Sequence, residues 1–245
     1  MHFLSLLVLQ LLATSLTAAK PIKTRRESPS CTEDPNGYLT PIPTPGLPPD
    51  QTTPAGPACY KGTQFPPAEE WLTFNQLWAL NSPIMSKFNS ESEMGYIKKY
   101  IGEAAAAAGI DKGIFLTIMM QESNGNVRTV AGDGVTPGLM QALGSPSCLG
   151  TSFGECPKSK IKGMIYAGAL GTGQTEGLSV CFTKNRRQYG AMLRCYNSGS
   201  IIDPLNWDVV KYGTPSYVSD IANRLRGLEP RRDCGFGGGI PSPGH

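Results

Sequence analysis

Glu122 closes the apolar run Ile114-Phe115-Leu116-Thr117-Ile118-Met119-Met120 and is the best-placed carboxylate in this chain for chemistry. It follows Ile118 by four residues and Met119 by three, so on a helix it shares a face with apolar side chains. Burial on that face raises the pKa of a carboxyl group, and the negative end of the helix dipole acts in the same direction. A carboxylic acid held protonated near neutral pH is what protonation of a glycosidic oxygen requires. Sixteen residues further on, Gly138-Leu139-Met140-Gln141 joins a turn glycine to apolar and amide side chains, a composition suited to the wall of a sugar groove. Position alone also fits an exposed Glu at a fraying helix end.

Rival chemistries are few. The chain has two histidines, His2 near its start and His245 as its last residue. A Ser-His-Asp triad, a Cys-His pair or a His-bound catalytic zinc would have to use one of these. There is no Cys-x-x-Cys pair, no Gly-x-x-x-x-Gly-Lys-Ser/Thr loop and no glycine fingerprint after a strand, so thiolate metal sites and nucleotide cofactors are not expected. What remains is carboxylate chemistry without a cofactor or metal, or no chemistry.

The elements that must position Glu122 read as helices. Trp71, Phe74, Leu77 and Trp78 have helical spacing. Ser90 and Glu93 form a capping-box pattern that opens a helix ended by Gly109. Asp111 caps the next helix, about Lys112 to Ser123, which is apolar on nearly every face and so central. Residues 124–157 are rich in Gly, Pro, Ser and Asn and read as loop. Lys158 to Ala169 and Asn185 to Tyr196 read as two further helices, the first weakened by its glycines. Pro215 suits the first turn of a last helix, Ser216 to Arg226. The period-2 alternation of strands is nearly absent. The expected fold class is therefore mainly α, a helical domain over 69–230 with irregular loops and little or no sheet.

The flanks are of another character. Residues 1–19 carry no Lys, Arg, Asp or Glu, hold an apolar stretch from Leu4 to Leu12 and end in small residues, the pattern of a signal peptide. Residues 20–26 end in Arg25-Arg26 and resemble a dibasic propeptide of a eukaryotic, fungal-type secretory route; an uncut basic tail is the other reading. Ten of the 21 prolines fall between Pro35 and Pro67, which predicts an extended Pro/Thr-rich segment over 27–68. Residues 231–245 read as a flexible tail. The expected location is secreted and extracellular, where disulfides form. The seven cysteines leave at least one outside intramolecular pairs. Cys148 with Cys156 and Cys181 with Cys195 are the preferred pairs, and Cys31 and Cys59 could pin the Pro/Thr-rich segment to itself or to the main domain. Formal charge is +3, and removal of residues 1–26, with four basic and no acidic residues, takes it to −1. Neither nucleic acid nor a membrane is expected as partner, and a monomer is expected.

Four segments occur in a telling order: Gln121-Glu122-Ser123, Gly138-Leu139-Met140-Gln141, Cys195-Tyr196-Asn197-Ser198-Gly199 and Tyr217-Val218-Ser219-Asp220-Ile221. Over roughly residues 90–227 this set resembles the soluble lytic transglycosylase and goose-type lysozyme family, glycoside hydrolase family 23. That family shows a Glu-Ser pair, a Gly-Leu-Met-Gln turn, an Ala-Tyr-Asn-Ala-Gly-like segment and a later Tyr-Val helix; here Cys195 and Ser198 replace the two alanines. The resemblance implies a lysozyme-like fold with Glu122 as catalytic acid. It implies that Met140 and Gln141 line the groove, that Tyr196 helps orient the acid beside Asn197, and that Tyr217 approaches the same face. Ser123 and Gly138 join the substrate-binding set as members of the same motifs. Core packing is the alternative for Leu139, Met140 and Tyr217.

The same resemblance raises a second carboxylate. Goose-type lysozymes carry an Asp in a Gly-Asp stretch before the Gly-Leu-Met-Gln turn and another two residues after its Gln. Asp133 fits the first, and Leu143 stands where the second would be. Asp133 could hold the attacking water, or it could make an Asx turn among glycines. The implied activity is cleavage of the β-1,4 link between N-acetylmuramic acid and N-acetylglucosamine in peptidoglycan, with chitin as a second substrate. A strict lytic transglycosylase and a non-catalytic wall-polysaccharide-binding protein are the alternatives. Trp207 could stack on a sugar ring or anchor at the surface.

Overall fold

The helix that carries Glu122 near its end is buried along most of its length. The computed structural model describes residues 56–130 and 134–237. The signal-like segment, the Arg-Arg strip, Cys31, most of the Pro/Thr-rich stretch, Asp133 and residues 238–245 lie outside the described residues. Among the described residues are seven α-helices: α1 (Phe74–Met85), α2 (Glu91–Ala108), α3 (Lys112–Ser123), α4 (Lys158–Leu170), α5 (Leu178–Lys184), α6 (Tyr189–Ser198) and α7 (Tyr217–Leu225). The only strand-like pairing among them is an isolated antiparallel bridge between Gly171 and Glu176. A mainly α fold is therefore observed. None of the described helices is long and apolar enough to cross a membrane.

Every residue of α3 from Gly113 to Met120 is buried, and α1, α2 and α7 pack around it. Its start is set by Asp111, whose carboxylate accepts from Gly113 N at 2.6 Å and Ile114 N at 3.2 Å. Its end is set by Asn124 in the left-handed conformation, with φ 52°. The capping box at Ser90 forms as its sequence predicts: Glu93 N donates to Ser90 Oγ and Ser90 N to Glu93 Oε2. Gly109 closes α2 with φ 68°. On the far side of α2 lies α4, which in turn contacts α5, while α5 and α6 pair and α6 meets α7.

Three boundaries differ from the periodicity. The helix around Trp71 starts only at Phe74, because Thr73 and Gln76 make a capping box there. Trp71 stays outside it, donating to Pro66 O and meeting the Tyr189 ring edge-on. The helix expected from Asn185 to Tyr196 starts only at Tyr189 and runs to Ser198 as α6, and α5, which the periodicity does not announce, precedes it from Leu178 to Lys184. Arg186 and Arg187 sit at φ 54° and 59°, and the hairpin they make is tied by the Cys181–Cys195 disulfide. The last helix begins at Tyr217, two residues beyond Pro215.

The described residues of 124–157 form no helix and are anchored at specific points. Glu93, 1% exposed, is their main anchor. Glu93 Oε1 accepts from Arg128 Nη2 at 2.5 Å and from Cys156 N at 2.9 Å. Burial alone would raise the Glu93 pKa, but the Arg128 hydrogen bond and the Ser90 and Cys156 N–H groups outweigh it and leave it lowered. The glycines of α4, read from sequence as weak points, admit this loop. A Cβ at Gly163 would lie 2.7 Å from Pro146 Cγ, and one at Gly168 2.6 Å from Met140 Cβ.

Three disulfides occur among the described residues: Cys148–Cys156, Cys181–Cys195 and Cys59–Cys234. The first two are the pairs preferred from spacing. The third ties the end of the Pro/Thr-rich segment to the start of the expected tail, and Cys234 is buried. Beside it Ala58 and Asn223 exchange two hydrogen bonds of 2.8 Å. Contacts with the helical part thus reach Ala58 on one side and Cys234 on the other.

Candidate active site

Glu122 sits on the last turn of α3 at the floor of a cleft of about 580 Å³, a usual size for a ligand site. α3 supplies Gln121 and Glu122, the 124–157 loop supplies Thr129 and Gln141, α6 supplies Tyr196 and Asn197, and α7 supplies Tyr217. Segments spread from residue 121 to residue 217 therefore meet around one carboxyl group. Among the described lining residues Glu122 is the only carboxylate, and no Lys or Arg is present.

The Tyr217 hydroxyl donates to Glu122 Oε1. Glu122 is partly accessible at the cleft, yet its carboxyl is so closely surrounded that burial pushes its pKa up to about 7, against a smaller downward effect of the Tyr217 hydrogen bond. Tyr196 and Tyr217 both lie well above the usual phenol range, through burial first and then the nearby Glu122 charge. Near neutral pH the site thus holds two neutral phenols and a carboxyl group poised between its acid and base forms, a fit for proton donation.

The neighbour of Glu122 on α3 is held from α7. Arg224 Nε donates to Gln121 Oε1 at 2.9 Å, and Gln121 Nε2 donates to Asp220 Oδ2 at 3.4 Å. Asp220 is 2% exposed and also accepts from Ser216 Oγ at 2.9 Å. Burial raises its pKa, but it does not line the cleft.

The residues expected to bind substrate divide into two groups. Gln141, Tyr196, Asn197 and Tyr217 line the cleft with Glu122. Ser123, Gly138 and Met140 do not. The Ser123 hydroxyl is buried, donates to Leu139 O at 2.8 Å and accepts from Gly125 N at 3.1 Å, which fastens the loop to the end of α3. Gly138 has φ 87° and a Cβ there would lie 2.5 Å from Met164 Sδ, so it is a site of close packing. The Met140 side chain is fully buried against Gly168. Of the Gly138–Gln141 turn, Gln141 is the member at the cleft, held at φ 46° with its Nε2 donating to Gly138 O. Asp133 lies outside the described residues.

Both tyrosines lie at the face of the acid, but the hydrogen bond to Glu122 comes from Tyr217 and not from Tyr196. Tyr196 donates to Met140 O at 2.8 Å and so steadies the loop, whereas Tyr217 holds the carboxyl group. Trp207 is neither a stacking platform nor a surface anchor. It is 7% exposed and its ring fills the space a Cβ at Gly190 would need. Glu155 and Glu176 are exposed, and Asp208 accepts from Gly62 N at 2.9 Å outside the cleft. Residues without an expected role also line the cleft, among them Gln121, Thr129, Thr175 and Thr214. Hydroxyl and amide groups of this kind carry no sequence signal of their own.

Neither a family profile nor a curated protein nor a solved structure matches this chain at a significant level.

Proposed function

We propose that the protein is a secreted lysozyme-like glycosidase that cleaves the β-1,4 linkage between N-acetylmuramic acid and N-acetylglucosamine in peptidoglycan, with Glu122 as general acid. The observation that carries this reading is a carboxyl group with a pKa near 7, at the floor of a polar cleft and hydrogen-bonded by a buried tyrosine. The order of Glu122-Ser123, Gly138–Gln141, Tyr196-Asn197 and Tyr217-Val218 along the chain, which resembles glycoside hydrolase family 23, supports it and with it a lysozyme-like fold. Protonated Glu122 gives its proton to the glycosidic oxygen as the bond to the anomeric carbon breaks, and Tyr217 stabilises the carboxylate left behind. Water then adds at the anomeric carbon and gives up a proton to Asp133, the candidate to position it, after which Asp133 returns its proton to solvent and Glu122 takes one back. Without the Asp133 carboxylate the substrate's own groups would complete the reaction, giving the anhydro product of a lytic transglycosylase.

Chitin is the second reading, and one observation favours it. Among the described lining residues no Lys or Arg stands ready to meet the carboxylates of stem peptides, so the cleft also suits an uncharged chain of N-acetylglucosamine. Mass spectrometry of products from purified peptidoglycan and from chitin oligomers tests all of these together. Reducing ends that have gained water indicate hydrolysis, and anhydro-muropeptides indicate transglycosylation. Pelleting with either polymer and no product from the parent chain would replace the enzyme by a wall-polysaccharide-binding protein.

A further inference from the structure

Arg194 is fully buried on α6, within an otherwise apolar run of Ala191, Met192, Leu193 and Cys195. Taking a guanidinium out of water is costly unless its hydrogen bonds are replaced. Here all five N–H donors have acceptors. Nε donates to Trp207 O at 2.5 Å, Nη1 to Asn197 Oδ1 at 2.9 Å and Ser198 Oγ at 2.8 Å, and Nη2 to Thr214 O at 3.0 Å and Pro215 O at 3.1 Å. None of these acceptors is a carboxylate. Burial draws the Arg194 pKa down to about 10, opposed by Tyr217 and Asp208, so the group stays charged at neutral pH.

The acceptors are not scattered. Trp207, Thr214 and Pro215 belong to the connection from α6 to α7, and Tyr217 follows Pro215 by two residues. Asn197 is drawn into the same knot, because its Oδ1 also accepts from Thr214 N at 2.8 Å. Gly213, at φ 94°, leaves no room for a Cβ, which would lie 2.5 Å from Asn197 Oδ1. Asn197, Thr214 and Tyr217 all line the cleft. One buried cation therefore ties α6 to the chain entering α7 at the wall of the site.

We propose that Arg194 is the positioning residue of this site: by clamping Asn197, Thr214 and Pro215 it fixes the start of α7 and sets the Tyr217 hydroxyl on Glu122. The proposal rests on Glu122 as the general acid. The titratable groups that face Glu122 are Tyr217 from α7 and Tyr196 from α6; its helix neighbour Gln121 is uncharged, and the described lining holds no Lys or Arg.

The test compares Arg194→Met, Arg194→Lys, Tyr217→Phe and the Arg194→Met/Tyr217→Phe double variant in the full, disulfide-bonded chain. The Glu122 carboxyl is titrated by 13C NMR, and the pH dependence of kcat/KM is measured on soluble peptidoglycan oligomers. A hydrogen bond to a carboxylate is worth about one pH unit or more, so Tyr217→Phe raises the Glu122 pKa and moves the alkaline limb of activity to higher pH. Arg194→Met shifts both in the same direction, and the double variant adds nothing to Tyr217→Phe. Arg194→Lys, with three donors in another geometry, falls between parent and Arg194→Met, and it carries the test alone if Arg194→Met does not fold. A lowered Tm with an unmoved Glu122 titration in the Arg194 variants overturns the proposal, as does a Glu122 that does not respond to Tyr217→Phe. A titration that shifts as expected in a protein that cleaves neither glycan supports the positioning role and overturns the glycosidase reading instead.

Discussion

Glu122→Gln separates the cost of burying the acid from its use in catalysis. In the folded chain the Glu122 pKa stands near 7 against an ordinary 4.5. The folded state therefore binds a proton that the unfolded chain has released anywhere between these values, and stability falls as pH rises through that window. At about 1.4 kcal/mol per pH unit the loss is about 3 kcal/mol when complete, and the opening to the cleft makes this an upper figure. Glutamine keeps an oxygen to accept from Tyr217 and cannot ionise. The variant and the parent should be similarly stable near pH 4.5, and the variant should gain progressively on the parent up to about pH 7, with no further gain above. Urea unfolding across this range, with disulfides intact, gives the difference directly. Peptidoglycan clearing by the variant should fall about 10²- to 10⁴-fold, the usual contribution of a general acid. Parallel stability curves for the two proteins would refute the burial argument, and near-parental clearing would remove Glu122 from its role.

Other perturbations test the surroundings. Asp133→Asn should lower hydrolysis of peptidoglycan at least about tenfold if that carboxylate positions water; full activity with anhydro products by mass spectrometry would pass the reaction to the transglycosylase branch. Arg128→Met leaves the buried Glu93 without its partner and should cost about 3–5 kcal/mol in urea unfolding. Because the Glu93 pKa is lowered in the folded state, the stability it contributes is present above its unfolded value and is lost as pH falls through the folded one, so the parent's advantage over this variant should shrink on acidification. Replacing Cys181 and Cys195 together by Ser should cost about 3 kcal/mol, the usual figure for a closed loop of this length, seen as a lower Tm.

Local signals in the chain are legible because their causes are local. Asp111, Ser90 with Glu93, and Gly109 act within a turn of their own helices, and the unbroken apolar face of α3 needs no partner to announce burial. The late start of α6 has no mark in the sequence, because Arg186 and Arg187 adopt positive φ without a glycine to signal the turn. Within Gly138–Gln141 the alternation of burial depends on what packs beneath. Gly168 takes in Met140, and only then does Gln141 turn to the cleft. The Cys59–Cys234 pair joins two ends that composition had set aside as extension and tail. Arg194 carried one usable signal, a charge inside an apolar helical run, but its five acceptors come from residues 197 to 215 and meet only in the fold.

Two buried ionisable groups near the cleft are handled in opposite ways, and the difference bears on function. Arg194 keeps its charge because each of its donors is met by an oxygen of the chain, so it costs little and fixes geometry. Glu122 receives one described hydrogen bond, from Tyr217, and is otherwise left to burial. More donors around Glu122 would hold it ionised and stabilise the fold at neutral pH, but would leave it without a proton to give. With no donor at all the proton would be held too firmly to transfer near neutrality. A single phenol, set in place by a cation that does not touch the acid and acts through Asn197 and Thr214 at the cleft wall, keeps the carboxyl group between these limits. For that reason the Arg194 variants should move the pH profile rather than only lower the rate.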